Sequence, residues 1–274
     1  MTLQKLLQKA REQGRLGIVG IAQRVTSVAE RWRGEGGEAI HFKGDFPAAI
    51  DSALESAAKG ETSFLLLDGF RFLDALRLIE EHMDASAEPL VVMQGIEVET
   101  YPKTLWMGIA PHSKWDNSSD VSRGISILVK ALETLGEPTP RVALLSCVET
   151  VSPGIPSTVW EAEIAQMGQR GEFGAAIVDG PLGFDLAISP EAVRDKGVQT
   201  RVGGRADLLI PPDLNTYCSL VDSLHLSGER KSAGLVLGAP CPIALPWRYA
   251  DEEDMWRSVI IANLQTPRIP AMRS

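Results

Sequence analysis

The chain of 274 residues is short of cysteine, of histidine, of positive charge and of long apolar runs, and each shortage narrows what it can be. Its three cysteines (Cys147, Cys218, Cys241) are an odd number, far apart and without a CxxC pair. That pattern argues against a disulfide framework or a thiolate metal site and for a reducing compartment, the cytoplasm. The four histidines (His41, His82, His112, His225) form no helical pair, and no bound metal is expected. No apolar run approaches the ~20 residues of a membrane span, so no membrane association is expected. With 27 Lys and Arg against 36 Asp and Glu, the formal net charge is -9. Wholesale binding to nucleic acid is therefore excluded, and an anionic ligand needs a local cationic pocket. GxGxxG, Walker A and GxSxG motifs are absent, which leaves dinucleotide, NTP and α/β-hydrolase readings without their signatures.

What is present is a rhythm of short apolar runs. "LGIVGI" (16–21), "SFLLLDG" (63–69), "RVALLS" (141–146), "GAAIVDG" (174–180), "ADLLIPPD" (206–213) and "AGLVLGAP" (233–240) are closed by Gly, Pro, Ser or Asp. Continuous rather than alternating apolar strands imply burial on both faces, hence a largely parallel sheet covered by helices. Among those helices, "VSRGISILVKALETLG" carries Val121, Ile125, Leu128, Val129, Leu132 and Leu135 on one stripe and stops at Gly136. "STVWEAEIAQMGQRG" has Thr158 and Glu161 at capping-box spacing, and "SPEAVRDKG" has Ser189 as cap with Pro190 behind it. The start, "MTLQKLLQKAREQG", lacks a signal peptide's apolar core and reads as a helix with Leu3, Leu6, Leu7 and Ala10 on one face, Lys5, Lys9 and Arg11 interspersed. Residues 89–111 break the rhythm as two strands turning near Tyr101-Pro102, an antiparallel hairpin. "GEPTP" (136–140) is the best linker. The expected fold is a two-lobed α/β/α sandwich with a mixed, mostly parallel sheet: 1–139 plus 239–274 in one lobe, 140–238 in the other, and a cleft between.

In open α/β sheets, ligands bind beyond the carboxyl ends of strands. Three such ends carry polar groups: Asp68, Gly69 and Arg71; Ser146 with its Pro/Gly loop; and Asp179, Gly180 and Asp185. Each also has a purely structural reading. Glycines supply turns, Asp179 can bond backbone amides, and Ser146 can end a strand.

From "VALLSCVETVSPGIPSTVWEAEIAQMGQRG" onward the chain resembles the phosphate acetyl/butyryl transferase family, most closely its butyryl branch. The resemblance continues through "VDGPLGFDLAIS", "ADLLIPPDL" and "GLVLGAPCPIALPWR", with "GIAP" (108–111) upstream, and fades before residue 105. It implies a fold like the isocitrate and isopropylmalate dehydrogenases, a homodimer, and transfer of a short acyl group between coenzyme A and inorganic phosphate. Coenzyme A is then a substrate, and no cofactor is permanently bound. A thiol with a pKa near 8.5 needs help to ionise, and a departing phosphate needs a cation.

The resemblance implies that Arg248 and Asp254 are catalytic, as phosphate-binding cation and as base or orienter. It places Arg77, Ser146, Asp179, Gly180 and Trp247 at the substrates. The acids at 251–254 also suit a helix N-terminus whatever the function. The chain departs from the family where a mechanistic serine becomes Trp247, where an Asn-Asp pair becomes Ala244-Leu245, and where Asp68 stands in a phosphate-approach loop. Tryptophan is far larger than serine and accepts no proton, so a smaller, drier pocket is expected there. Two further readings follow from these losses: a family member that binds coenzyme A or an acyl-phosphate-like ligand without turnover, in a regulatory or assembly role, and a decarboxylating dehydrogenase, which lacks its motifs.

Overall fold

Leucine- and valine-rich runs with no polar alternation form the strands, and helices bury them from both sides. The computed structural model describes residues 2–7, 14–20, 22–69, 71–83, 88–111, 115–228 and 230–267. The first part of the chain runs through Leu3–Leu7 (α1), Arg15–Val19 (β1), Ala22–Gly34 (α2), Glu38–His41 (β2), Phe46–Ala58 (α3), Phe64–Leu67 (β3) and Phe72–Glu81 (α4). The hairpin Val91–Val98 (β4) and Leu105–Ile109 (β5) follows, then Ser118–Leu135 (α5), Arg141–Leu145 (β6), Ser157–Gln169 (α6) and Ile177–Leu182 (β7). Phe184–Ile188 (α7), Pro190–Lys196 (α8), Leu208–Ile210 (β8), Leu214–Leu226 (α9), Arg230–Leu237 (β9), Ile243–Ala244 (β10) and Glu252–Gln265 (α10) complete it. In the first helix Leu3 and Leu6 are buried, whereas Lys9, Ala10 and Arg11 lie outside the described residues, as does His112.

The strands form one ten-stranded sheet in the order β2-β1-β3-β10-β9-β4-β5-β8-β6-β7. Pairing is parallel except at β10/β9, β9/β4 and β4/β5, so the sheet is mixed and mostly parallel. The expected boundaries at 139/140 and 238/239 fall in loops, between α5 and β6 and after β9, and strands from both sides of them join this one sheet. Three reversals in its middle have a consequence for function. Strands β1, β2, β3, β4 and β10 run one way and β5 to β9 the other. The carboxyl ends of β3 and β10 therefore lie at the opposite end of the strands from those of β6, β7 and β8.

The hairpin at 89–111 is present, with Gly95 opposite Trp106 in its register. The α5 stripe from Val121 to Leu135 is buried, and the helix ends on Gly136 at φ 101°, a conformation in which a Cβ would be strained. Ser189 caps α8 with Pro190 in its first turn. Two strands carry no signal of length or periodicity. β2 has only four residues, all of them exposed or half-buried, and β10 has two. The capping box expected at Thr158 and Glu161 is not formed. Helix α6 starts at Ser157 without a side-chain cap, and Thr158 Oγ1 donates instead to the Ser152 and Ile155 carbonyls. Helix α10 is buried along most of its length against β9, β10, β3, α5 and α2. Among the described residues no helix is long and apolar enough to cross a membrane.

Candidate active site

The loop that leaves β10 is built rigidly. Its carbonyls at Leu245, Tyr249 and Ala250 accept hydrogen bonds from Gln94 (3.0 Å), Arg230 (2.6 Å) and Arg24 (2.8 Å). The loop therefore presents Trp247 and Arg248 in one fixed orientation toward helix α9. Trp247 is 4% exposed and its Nε1 donates to Asp222 Oδ1 at 2.8 Å. Its ring meets Phe72 edge-on at 5.0 Å between centroids, Tyr217 at 6.1 Å and His225 at 6.3 Å. Such aromatic contacts add to the burial of the rings themselves. The Trp247 indole is thus locked into an aromatic cluster.

Arg248 is half exposed, and its Nη2 donates to Asp222 Oδ2 at 2.7 Å. The guanidinium also lies 5.3 Å from the Trp247 ring centroid and 5.6 Å from that of Tyr249. One carboxylate, Asp222, therefore fixes both the indole and the cation. It sits mid-helix in α9 among unremarkable neighbours, and nothing in the sequence marks it. Beneath it, burial lowers the pKa of His225, whose Nδ1 lies 2.8 Å from the Val221 carbonyl. At the end of β3, Asp68 pairs with Arg24 at 3.5 Å, and burial raises its pKa against the pull of that arginine. Asp68 thus faces a cation that also holds the Ala250 carbonyl.

The other expected residues are placed elsewhere. Asp254 is 1% exposed. Its Oδ1 accepts from the Ser232 amide and from Arg257, both at 2.7 Å, and its Oδ2 accepts from the Asp251 amide at 3.3 Å. Asp251 and Asp254 form a reciprocal capping box. Asp254, the expected base or orienter, caps α10, ties it to β9 and acts on the pKa of His225 beside Trp247. Arg77 is 77% exposed and pairs with Glu81 one turn along α4, the geometry of a solvated helix face. Asp179 accepts from Thr200 Oγ1 (2.7 Å) and the Arg201 amide (2.8 Å), which clamps the 200–204 turn onto β7. Gly180 lies so close to β6 that a Cβ would stand 2.5 Å from Leu144 Cβ.

Ser146 ends β6, its amide donating to the Leu182 carbonyl at 2.9 Å. Ser146 lines a cavity of about 330 Å³ with Leu145, Cys147, Ser157, Phe184, Pro212, Thr216 and Leu220, while its Oγ is buried. Behind it lies Glu161 of α6, fully buried. Burial pushes that carboxyl up to about 7, while the hydroxyls of Ser157 and Ser146 beside it pull the other way. The Ser146 Oγ and both Glu161 oxygens are fully buried, and the two serine hydroxyls are the polar groups beside the carboxyl. Sequence spacing marks Glu161 only as a capping acid. Its burial is not visible there, because the same spacing serves a cap.

The structure thus joins Trp247 and Arg248, keeps Asp254 close enough to act on the His225 that packs against Trp247, sets Ser146 at a separate cavity, and puts Arg77 and Asp179 elsewhere. Helix α9 links the Trp247 loop and the cavity, since Leu220 lines the cavity and Asp222 holds Arg248.

Residues 120–263 match the family model described as phosphate acetyl/butaryl transferase. The chain belongs to that family. It is 28% identical to the phosphate acetyltransferase of Thermotoga maritima over 293 aligned positions, covering 96% of this chain and 99% of that protein. It is 42% identical to the phosphate acetyltransferase of Rhizobium meliloti over 134 residues, 49% of this chain and 42% of that protein. A branched-chain phosphotransacylase from Enterococcus faecalis shares the fold, with a TM-score of 0.76 at 24% identity over 93% of this chain and 99% of that one. The family match spans the Ser146 cavity, α9 and the Trp247 loop, so both places lie within the part that defines membership.

Proposed function

We propose that this protein transfers a short acyl group between coenzyme A and inorganic phosphate. The observation that carries the reading is the end-to-end match to the Thermotoga phosphate acetyltransferase, across both places described above. In the synthetic direction a phosphate oxygen attacks the thioester carbonyl, the C–S bond breaks, and the thiolate leaves with a proton to follow. Arg248 is the cation for phosphate: it is exposed, and its guanidinium is aimed by Asp222 and the flanking rings. Trp247 donates a hydrogen bond but accepts no proton, so it shapes and dries the site rather than acting as a base. The reading extends to coenzyme A as a dissociable substrate, a two-lobed homodimer and a cytoplasmic setting.

The test is direct. Purified protein is given acetyl-, butyryl- and isobutyryl-CoA with phosphate, and thiol release is followed with a chromogenic disulfide. Phosphate-dependent release that falls at least about a hundredfold in Arg248→Ala is the expected result. Absence of release with all three thioesters refutes the reading.

A further inference from the structure

A half-exposed arginine is a poor tool unless something holds it. Its long side chain has many rotamers, and a wandering cation does little where charge develops in a transition state. The backbone on either side of Arg248 is fixed, by Gln94 at the Leu245 carbonyl and by Arg230 at the Tyr249 carbonyl. What remains free is the direction of the side chain itself. Among the described residues one carboxylate sets it: Asp222 Oδ2 accepts from Arg248 Nη2 at 2.7 Å.

Asp222 is held in its turn. Its Oδ1 accepts from Trp247 Nε1 at 2.8 Å. The indole is kept from swinging away, because Phe72, Tyr217 and His225 pack around its ring. Aromatic cluster, carboxylate and guanidinium thus form one chain of contacts that ends at the phosphate-binding cation.

The same carboxylate works against phosphate. An anion seated on Arg248 stands beside Asp222, a like charge bound to the same guanidinium. The side chains are 56% exposed for Arg248 and 28% for Asp222, so water screens this repulsion without removing it. Repulsion acts as soon as phosphate binds. Alignment of the cation counts most in the transition state, where the attacking oxygen must be in line with the thioester carbonyl. The two effects therefore fall on different kinetic constants.

We propose that Asp222 is a positioning residue which aims Arg248 for the chemical step, through a carboxylate anchored by Trp247, and which in doing so weakens the binding of phosphate. The proposal rests on the acyl-transfer reading, in which Arg248 meets phosphate. Asp222 acts through Arg248, and Trp247 acts through Asp222.

Thiol release at varied phosphate, with saturating acyl-CoA and constant ionic strength, reads the two effects separately. Asp222→Asn keeps the shape of the side chain and an acceptor for the indole, but removes the charge that pairs with Arg248. Its kcat is expected to fall at least about tenfold, and its KM for phosphate to fall about twofold to fivefold. Trp247→Phe keeps the Asp222 charge and much of the ring packing but loses the N–H. Its kcat is expected to fall about threefold or more, with a KM for phosphate no lower than that of the wild type. Melting temperatures of both variants confirm that folded proteins are compared. If Asp222→Asn leaves kcat unchanged, or raises the KM for phosphate as a merely structural carboxylate would, the proposal is overturned and the transferase reading stands. A KM for phosphate that drops as far in Trp247→Phe as in Asp222→Asn also overturns it, because charge is then not the cause. If the wild-type protein shows no phosphate-dependent release, the transferase reading fails and the proposal falls with it.

Discussion

Glutamine at position 161 removes one titration from the interior and nothing else, which makes stability against pH a sensitive probe of that carboxyl. Its pKa is raised from an ordinary 4.5 to about 7 in the folded protein, chiefly by burial. Between those values the folded state binds more protons than the unfolded chain, so stability falls as pH rises through the window and levels off above it. A tenfold change in a protonation equilibrium is worth about 1.4 kcal/mol. The cost of ionising Glu161 therefore grows from about 1 kcal/mol near pH 5 to about 3 kcal/mol near pH 8. Glu161→Gln carries no such cost. Urea unfolding of both proteins, at half-unit steps from about pH 5 to 8, gives the difference in free energy, and other titrating groups cancel in it. The variant is expected to gain about 2 kcal/mol on the wild type across that range. Parallel pH profiles would refute the reasoning, because they would mean that Glu161 is solvated or paired in the folded state.

Three further outcomes follow from the placement of the other residues. Asp254→Ala strips partners from the Ser232 and Asp251 amides and from the buried Arg257, and should cost about 3 to 5 kcal/mol in chemical unfolding, whatever it does to activity. Gly180→Ala drives a methyl to 2.5 Å from Leu144 Cβ and 2.8 Å from its carbonyl oxygen; a loss of about 1 to 3 kcal/mol is expected, read as a lowered melting temperature. Arg77→Ala should leave unfolding free energy within about 0.5 kcal/mol and the KM for phosphate unchanged, since its guanidinium is solvated and paired along its own helix. A raised phosphate KM in that variant would return Arg77 to the site.

Much of the scaffold is legible in the sequence because it obeys local rules. Apolar runs without alternation announce buried strands, Gly136 and Ser189-Pro190 announce helix ends, and the turn near Tyr101-Pro102 announces the hairpin. The blocks around "VDGPLGF" and "ALPWR" carry the family, and in the first of them the constraint has a visible cause: Asp179 clamps a turn and Gly180 admits β6. Strands β2 and β10 escape because four half-exposed residues and a pair of residues give no period to detect.

The site is legible only where its residues are neighbours in the chain. Trp247 and Arg248 are adjacent, so their loop can be singled out, and the acids after them can be read as a helix start. The sequence by itself determined most of the strands, several helix ends and the family, and it singled out that loop, because each rests on spacing within a few residues. Tertiary structure alone decided that Asp222 holds both Trp247 and Arg248, that Asp254 is buried as a cap of α10, and that Ser146 stands before a buried Glu161. The physical reason is the same in all three cases. Burial and pairing of a charge depend on which distant segments the sheet's reversals and α9 bring together, and no local pattern encodes that.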